Sequence, residues 1–235
     1  MKLLATSDTH GILHGIPTDC IDFVCFAGDI APLSGRGKWH VYDQKKWMQK
    51  KFCKWAAENP NTEFVIIPGN HDFFLLGRER FGNECDWKID WPDNVHVLVD
   101  SAVTLKGIKF YGTPWVPIIS HSWAYEAESA FLAEKFSKIP DDVDVLLTHT
   151  PPHISNEVPI DVSTQWGGRE AFGSHELANA VFEKHPRYHF CGHIHSGLHE
   201  RVDFEKTAIY NVSRVDERYE VAYPLILIDI FPVER

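Results

Sequence analysis

The chain has 235 residues, 44% of them apolar and 13% aromatic, enough for one large domain with a sizeable core over 1–235. A formal net charge of -10 excludes a surface built to grip long nucleic acid, because that binding rests on clustered Lys and Arg. The longest apolar runs, such as Leu225 to Ile228, are of strand length and predict no membrane span, and the residues before Ser7 are too few for the apolar core of a signal peptide. Cys20, Cys25, Cys53, Cys85 and Cys191 are odd in number and scattered, which predicts reduced thiols in a cytoplasmic protein.

In chain order, Leu3 to Ala5 reads as a buried strand running into Ser7-Asp8-Thr9-His10-Gly11. Ile21 to Phe26 is a second, nearly continuous in apolar residues as a parallel strand covered on both faces would be, and it empties into Gly28-Asp29. Val41 to Glu58 keeps Met48, Phe52 and Trp55 at helical spacing and predicts a surface helix. Phe64 to Ile67 is the third strand, leading to Gly69-Asn70-His71-Asp72. Phe73 to Trp91 has no clear period and reads as loop. Val95 to Val99, Ala102 to Leu105 and Ile108 to Tyr111 read as strands, the last two joined at Lys106-Gly107. Trp123 to Phe136 predicts an amphipathic helix with Glu126 exposed. Val143 to Leu147 opens onto Thr148-His149-Thr150-Pro151-Pro152, and a long loop spans 153–173. Ser174 caps a helix through Lys184. Tyr188 to Cys191 flows into Gly192-His193-Ile194-His195, and Ala208 to Val212 and Leu225 to Ile230 close the chain.

Strands alternating with helices predict a largely parallel α/β sheet, and such sheets bind ligands beyond the carboxyl ends of their strands. Asp8, His10, Asp29, Asn70, His71, His149, His193 and His195 all follow such strands, so they are expected to converge. Each piece alone is an ordinary turn. Jointly, so many imidazole, amide and carboxylate groups suit borderline divalent ions and are too many for one tetrahedral zinc. Two ions sharing a carboxylate would use them all. The other histidines lack this context and read as surface or packing residues, with His153 nearest to an exception.

The blocks Asp8-x-His10, Gly28-Asp29, Gly69-Asn70-His71-Asp72, Thr148-His149 and Gly192-His193-x-His195 resemble, in that order, the calcineurin-like metallophosphoesterase superfamily. Gly107 to Trp115 and Thr148 to Pro152 look like its small metallophosphoesterase-domain-containing branch. The resemblance covers residues 1 to about 197. It implies a four-layer α/β/β/α sandwich and two divalent ions, Mn, Fe or Zn. It assigns Asp8, His10, Asp29 and His195 to one ion and Asp29, Asn70, His149 and His193 to the other, with Asp29 as the bridge. His71 would protonate the leaving group or stabilise developing charge, with Asp72 behind it, and the nucleophile would be metal-bound hydroxide.

Relatives that act as protein phosphatases carry arginines after the Gly-Asp and Asn-His blocks. Here Ile30-Ala31-Pro32 and Phe73-Phe74 stand there, which favours a small phosphodiester, such as a nucleotide or cyclic nucleotide, over a monoester dianion. Trp39, Trp115 and Trp166 are candidates to stack on a base or simply to pack. The run Phe73-Phe74-Leu75-Leu76-Gly77 motivates an alternative, a nucleotide or nucleotide-sugar pyrophosphatase. A metal-poor interaction scaffold is the alternative of another class, although all expected ligand positions are filled.

Overall fold

The computed structural model describes residues 1–76, 79, 82, 88–165 and 168–233. Its strands in chain order are β1 (Lys2–Thr6), β2 (Phe23–Ala27), β3 (Glu63–Ile67), β4 (Val95–Val97), β5 (Ser101–Leu105) and β6 (Ile108–Thr113). These are followed by the two-residue β7 (Val116–Pro117) and β8 (Glu126–Ala127), β9 (Val145–Thr148), β10 (Val162–Ser163) and β11 (Glu170–Ala171). The last are β12 (Tyr188–Cys191), β13 (Val202–Phe204), β14 (Thr207–Asn211) and β15 (Ile226–Asp229). One sheet has the order β15-β1-β2-β3-β4, and a second has β13-β14-β12-β9-β6-β5. In each the central strands run parallel, and the antiparallel partners β15, β13 and β5 stand at the edges.

The single sheet expected from the strand pattern is therefore two sheets, and the burial pattern explains why. All of β2 and β9 is buried, so each sheet needs cover on both faces. Leu3, Phe23, Cys25 and Val65 of the first sheet pack directly against Ile108, Phe110, Val145 and Phe190 of the second. The alternate residues of the first, Leu4, Val24, Phe26 and Phe64, face Met48, Phe52 and Ala56. On the far side Tyr111, Leu146 and Ile209 face Leu132, Phe136, Leu177 and Val181. The period-two alternation of the strands thus builds the four-layer α/β/β/α sandwich implied by the resemblance.

The helices are α1 (Lys38–Trp47), α2 (Cys53–Ala57), α3 (Ser129–Ser137) and α4 (His175–Lys184), with a π-helical turn at Met48–Phe52 joining the first two into the expected long segment. Ser174 caps α4 by accepting from the Leu177 amide at 3.1 Å. The helix expected from Trp123 begins only at Ser129. Glu126 is half-exposed but not helical; its carboxylate takes the amides of Ile119, Ser120 and Trp123, and Tyr125 adopts a left-handed φ of 57°, which no α-helix admits. The 153–173 loop holds a 3₁₀ turn at Pro159–Asp161 and the β10–β11 pair, with 166 and 167 outside the described residues.

Candidate metal centre

The loops after β1, β2 and β3 and those after β9 and β12 meet at one edge of the sandwich. Asp8, His10, Asp29 and His193 all have left-handed backbone, with φ of 52°, 43°, 51° and 70°. That conformation is unfavourable for residues with a Cβ and persists only where surrounding structure imposes it, as at functional sites. The glycines between them allow the crowding. Gly28 has φ of 101°, and a Cβ there would run into the His149 ring; one at Gly69 would strike Asp29 Oδ1.

Each aspartate gives one oxygen to the protein and leaves the other facing the cluster. Asp8 Oδ2 accepts from the His193 amide at 3.0 Å and from Ser213 Oγ at 2.8 Å, whereas Oδ1 has no hydrogen-bond partner and lies 3.4 Å from His195 Nε2. Asp29 Oδ1 accepts from the His71 amide at 2.8 Å, and Oδ2 lies 3.4 Å from His149 Nε2. The histidines match this division. His149 Nδ1 donates to the Ala27 carbonyl at 2.9 Å and His195 Nδ1 to the Asp216 carbonyl at 3.0 Å, which turns each Nε2 toward the carboxylates. His149 Nε2 is also 2.9 Å from Asn70 Oδ1. A ring nitrogen fixed by a backbone carbonyl while its partner nitrogen faces the cluster is the usual setting of a metal-ligating histidine.

Burial raises the Asp8 carboxyl, but the close approach and charge of His195, with the charges of His149 and His10, hold it well below the ordinary range. Burial likewise opposes ionisation of Asp29, and His149 and His71 overcome it. Burial lowers His149, but the Asp29 charge prevails and raises it to about 9. Burial depresses His10 to about 4 and, with the charge of His149, His193 to about 3. Two buried carboxylates thus draw positive charge toward them, a demand that a divalent cation meets.

Two donor groups each have ligand atoms within 4.8 Å of one another: Asp8, His10 and His195, and Asp8, Asp29 and His149. Both ring nitrogens of buried His10 are without a hydrogen-bond partner, as is Asp8 Oδ1, so these residues fit an ion better than they fit each other. Asp8 is the carboxylate common to both groups. His193 joins at the second group, its ring centroid 5.0 Å from that of His149.

His71 stands beside these donors. Its Nε2 is 4.0 Å from Asp29 Oδ2, and its ring lies 5.2 Å from that of His10 and 4.3 Å from that of Trp123. Gln44 of α1 holds the loop there, donating to the His71 carbonyl at 2.7 Å and accepting from the Phe73 amide at 2.8 Å. Asp72 is fully buried behind them, accepting from the amides of Ile30, Ala31 and Gly69 at 3.0, 2.9 and 2.9 Å. Burial and the neighbouring Asp29 push its carboxyl up to about 7 against the pull of those bonds. It ties the loop after β2 to the loop after β3.

Trp123 packs against His71, with the Arg36 guanidinium 3.7 Å above its ring, and neither was singled out from the sequence. Trp39 is 75% exposed on α1. Trp115 packs between Tyr125 and Phe131 and donates its indole N–H to Asp100, so it is a covering residue. Trp166 lies outside the described residues. His153 hydrogen-bonds Asp161 at 2.7 Å and packs on His175. Ser213, Gln44 and Tyr219, whose ring lies against those of His10 and His195, also escaped the sequence reading.

A two-sheet sandwich with convergent Asp, Asn and His donors at one edge has the architecture of a metal-dependent hydrolase site. The sequence model of the calcineurin-like phosphoesterase family matches residues 1–197, and the chain belongs to that family. It is similar to metallophosphoesterase domain-containing protein 1 of Homo sapiens, 29% identical over 97% of this chain and 71% of that protein. A UPF0046 protein of Caenorhabditis elegans is 28% identical over 83% of this chain and 63% of that one. Among solved structures, TT1561 of Thermus thermophilus shares the fold with a TM-score of 0.58 at 12% identity, covering 97% of this chain and 98% of that one. Among the described residues no helix is long and apolar enough to cross a membrane.

Proposed function

We propose that this phosphoesterase is a binuclear metal-dependent phosphodiesterase acting on a small phosphodiester, with a nucleotide or cyclic nucleotide as the substrate type to test first. The observation that carries this reading is the set of unpartnered donors on Asp8 and His10 amid Asp29, Asn70, His149, His193 and His195. Divalent ions held there, Mn, Fe or Zn, would supply Lewis acidity and lower the pKa of coordinated water. The chain's own residues do the rest. His71, fixed by Gln44 through its carbonyl and by Asp29 through its amide, presents its imidazole to the leaving-group side as donor. Asp72 keeps the two loops in register.

Preference for a diester rests on charge. Ile30, Ala31, Phe73 and Phe74, at the positions where phosphatase relatives hold arginines, are each no more than 1% exposed, and the two Phe side chains belong to the core. The Arg36 guanidinium, 3.7 Å over the Trp123 ring that packs on His71, suits a singly charged ester. Among the described residues of the run after Asp72, Phe73 and Phe74 are buried and Leu75 and Leu76 pack partly against the core, which supports a diester over a pyrophosphate. The free thiols Cys20, Cys25, Cys53 and Cys191 fit a reducing compartment such as the cytoplasm. Turnover of a bis-aryl phosphate, an aryl phosphate and a dinucleoside polyphosphate should be compared with each metal added. The bis-aryl phosphate should be hydrolysed fastest; preference for the monoester would overturn the reading.

A further inference from the structure

Beyond residue 197, where the family match ends, the chain folds a tight hairpin back over the candidate metal centre. Val215 and Val221 form its antiparallel bridge. Across the turn the Asp216 amide donates to the Glu220 carbonyl at 2.9 Å and the Tyr219 amide to the Asp216 carbonyl at 2.9 Å. Asp216 Oδ1 takes the amides of Arg218 and Glu220 at 2.9 and 3.0 Å. Two further bonds lock the turn to the site: His195 Nδ1 donates to the Asp216 carbonyl, and Ser196 Oγ donates to Glu217 Oε1. This scaffold holds Tyr219 at a φ of 63°, a left-handed conformation that an aromatic residue rarely adopts and that a glycine or asparagine would occupy more easily.

That backbone strain delivers one side chain. The half-buried Tyr219 ring lies 5.0 Å from the ring of His10, 5.3 Å from His195 and 6.3 Å from His71, centroid to centroid and edge-on to each. Its neighbours are therefore two candidate ligands of one ion and the candidate proton donor. Among the described residues, none forms a hydrogen bond with its hydroxyl. A phenol is a donor at neutral pH, its ordinary pKa being about 10. With no partner among the described residues, on a ring that a strained turn holds among these three histidines, this hydroxyl is suited to donate to an oxygen of a phosphoryl group at the centre.

We infer that Tyr219 is a substrate-contacting residue whose hydroxyl donates a hydrogen bond to a phosphoryl oxygen of the bound ester. The inference rests on the phosphoesterase reading but not on a diester as the substrate. It gives the residues past 197 a share in the reaction, as a fixed donor beside His71.

The test uses the metal-loaded chain and two variants, Tyr219→Phe and Tyr219→Ala, with metal content, orthovanadate binding by calorimetry, and kcat and KM on a bis-aryl phosphate as readouts. Tyr219→Phe should keep its metal and its circular dichroism, bind vanadate roughly 10-fold more weakly, and lose roughly 10- to 100-fold in kcat with a smaller change in KM. Tyr219→Ala should lose at least as much. A Phe variant that binds vanadate as the parent protein does would overturn the inference, as would damage confined to the Ala variant with loss of metal, which would make the ring mere packing. If the parent protein prefers a monoester, the diester reading fails while vanadate binding still decides the role of Tyr219.

Discussion

Ser213 donates its hydroxyl to Asp8 Oδ2 at 2.8 Å, so a residue just past β14 fixes the carboxylate just past β1 and leaves its other oxygen facing His195. A group that orients a ligand sets metal affinity without touching the metal. Ser213→Ala should therefore fold normally and hold divalent ions roughly 10- to 100-fold less tightly in chelator competition. Unchanged affinity would show that the hydroxyl merely fills space.

Variants at Asp29 and His71 test metal binding and chemistry separately. Asp29→Ala removes a donor that also anchors the His71 amide, and it should abolish turnover and metal retention together. His71→Ala leaves the donor groups intact, so elemental analysis should find the ions still present while kcat falls by roughly 10²- to 10⁴-fold. Full turnover in that variant would remove His71 as the proton donor.

Asp72 tests how far the two loops depend on each other. Replacing it by Ala leaves the buried amides of Ile30, Ala31 and Gly69 without their acceptor. Urea unfolding should register a loss of about 3 kcal/mol or more, since a buried donor left unpaired costs roughly 1–3 kcal/mol. Asp72→Asn keeps one acceptor oxygen and should fall between the two. A neutral Ala variant would mean that water replaces the carboxylate.

His189 offers a pH test away from the ligands. Thr148 Oγ1 donates to the Thr150 carbonyl at 2.6 Å, so it accepts from His189 Nε2 at 2.8 Å, and His189 Nδ1 is buried without a partner. Burial lowers this imidazole from 6.5 to about 3. Below pH 6.5 the unfolded chain takes up a proton that the folded protein refuses, so stability is lost as pH falls from 6.5 toward 3, at up to about 1.4 kcal/mol per pH unit. His189→Gln should abolish this contribution, and the difference in unfolding free energy between the two proteins should change across that window. A difference independent of pH would contradict the assignment.

The candidate donors were legible because each follows a run of apolar residues long enough to be a buried strand, and strand ends in a parallel sheet share one edge. The same rule applied to Thr207–Asn211 would have reached Ser213, two residues beyond that strand. Tyr219, Trp123, Arg36 and Gln44 were hidden for another reason. They reach the site through the tertiary course of loops and a helix face, and neither periodicity nor spacing records where a loop returns. The helix expected from Trp123 failed because Glu126 binds backbone amides, a local contact that looks in sequence like an exposed helical charge. The division into two sheets came from burial on both strand faces.

The first sheet brings Asp8, His10, Asp29 and Asn70 to the edge, and the second brings His149, His193 and His195. Neither sheet alone owns a complete set of donors. Any ion held by both acts as a rivet between the layers, and its binding free energy becomes cohesion of the whole sandwich. The melting temperature then climbs with the concentration of free ion. On the proposed function, metal supply then governs how long the chain lasts as well as how fast it works.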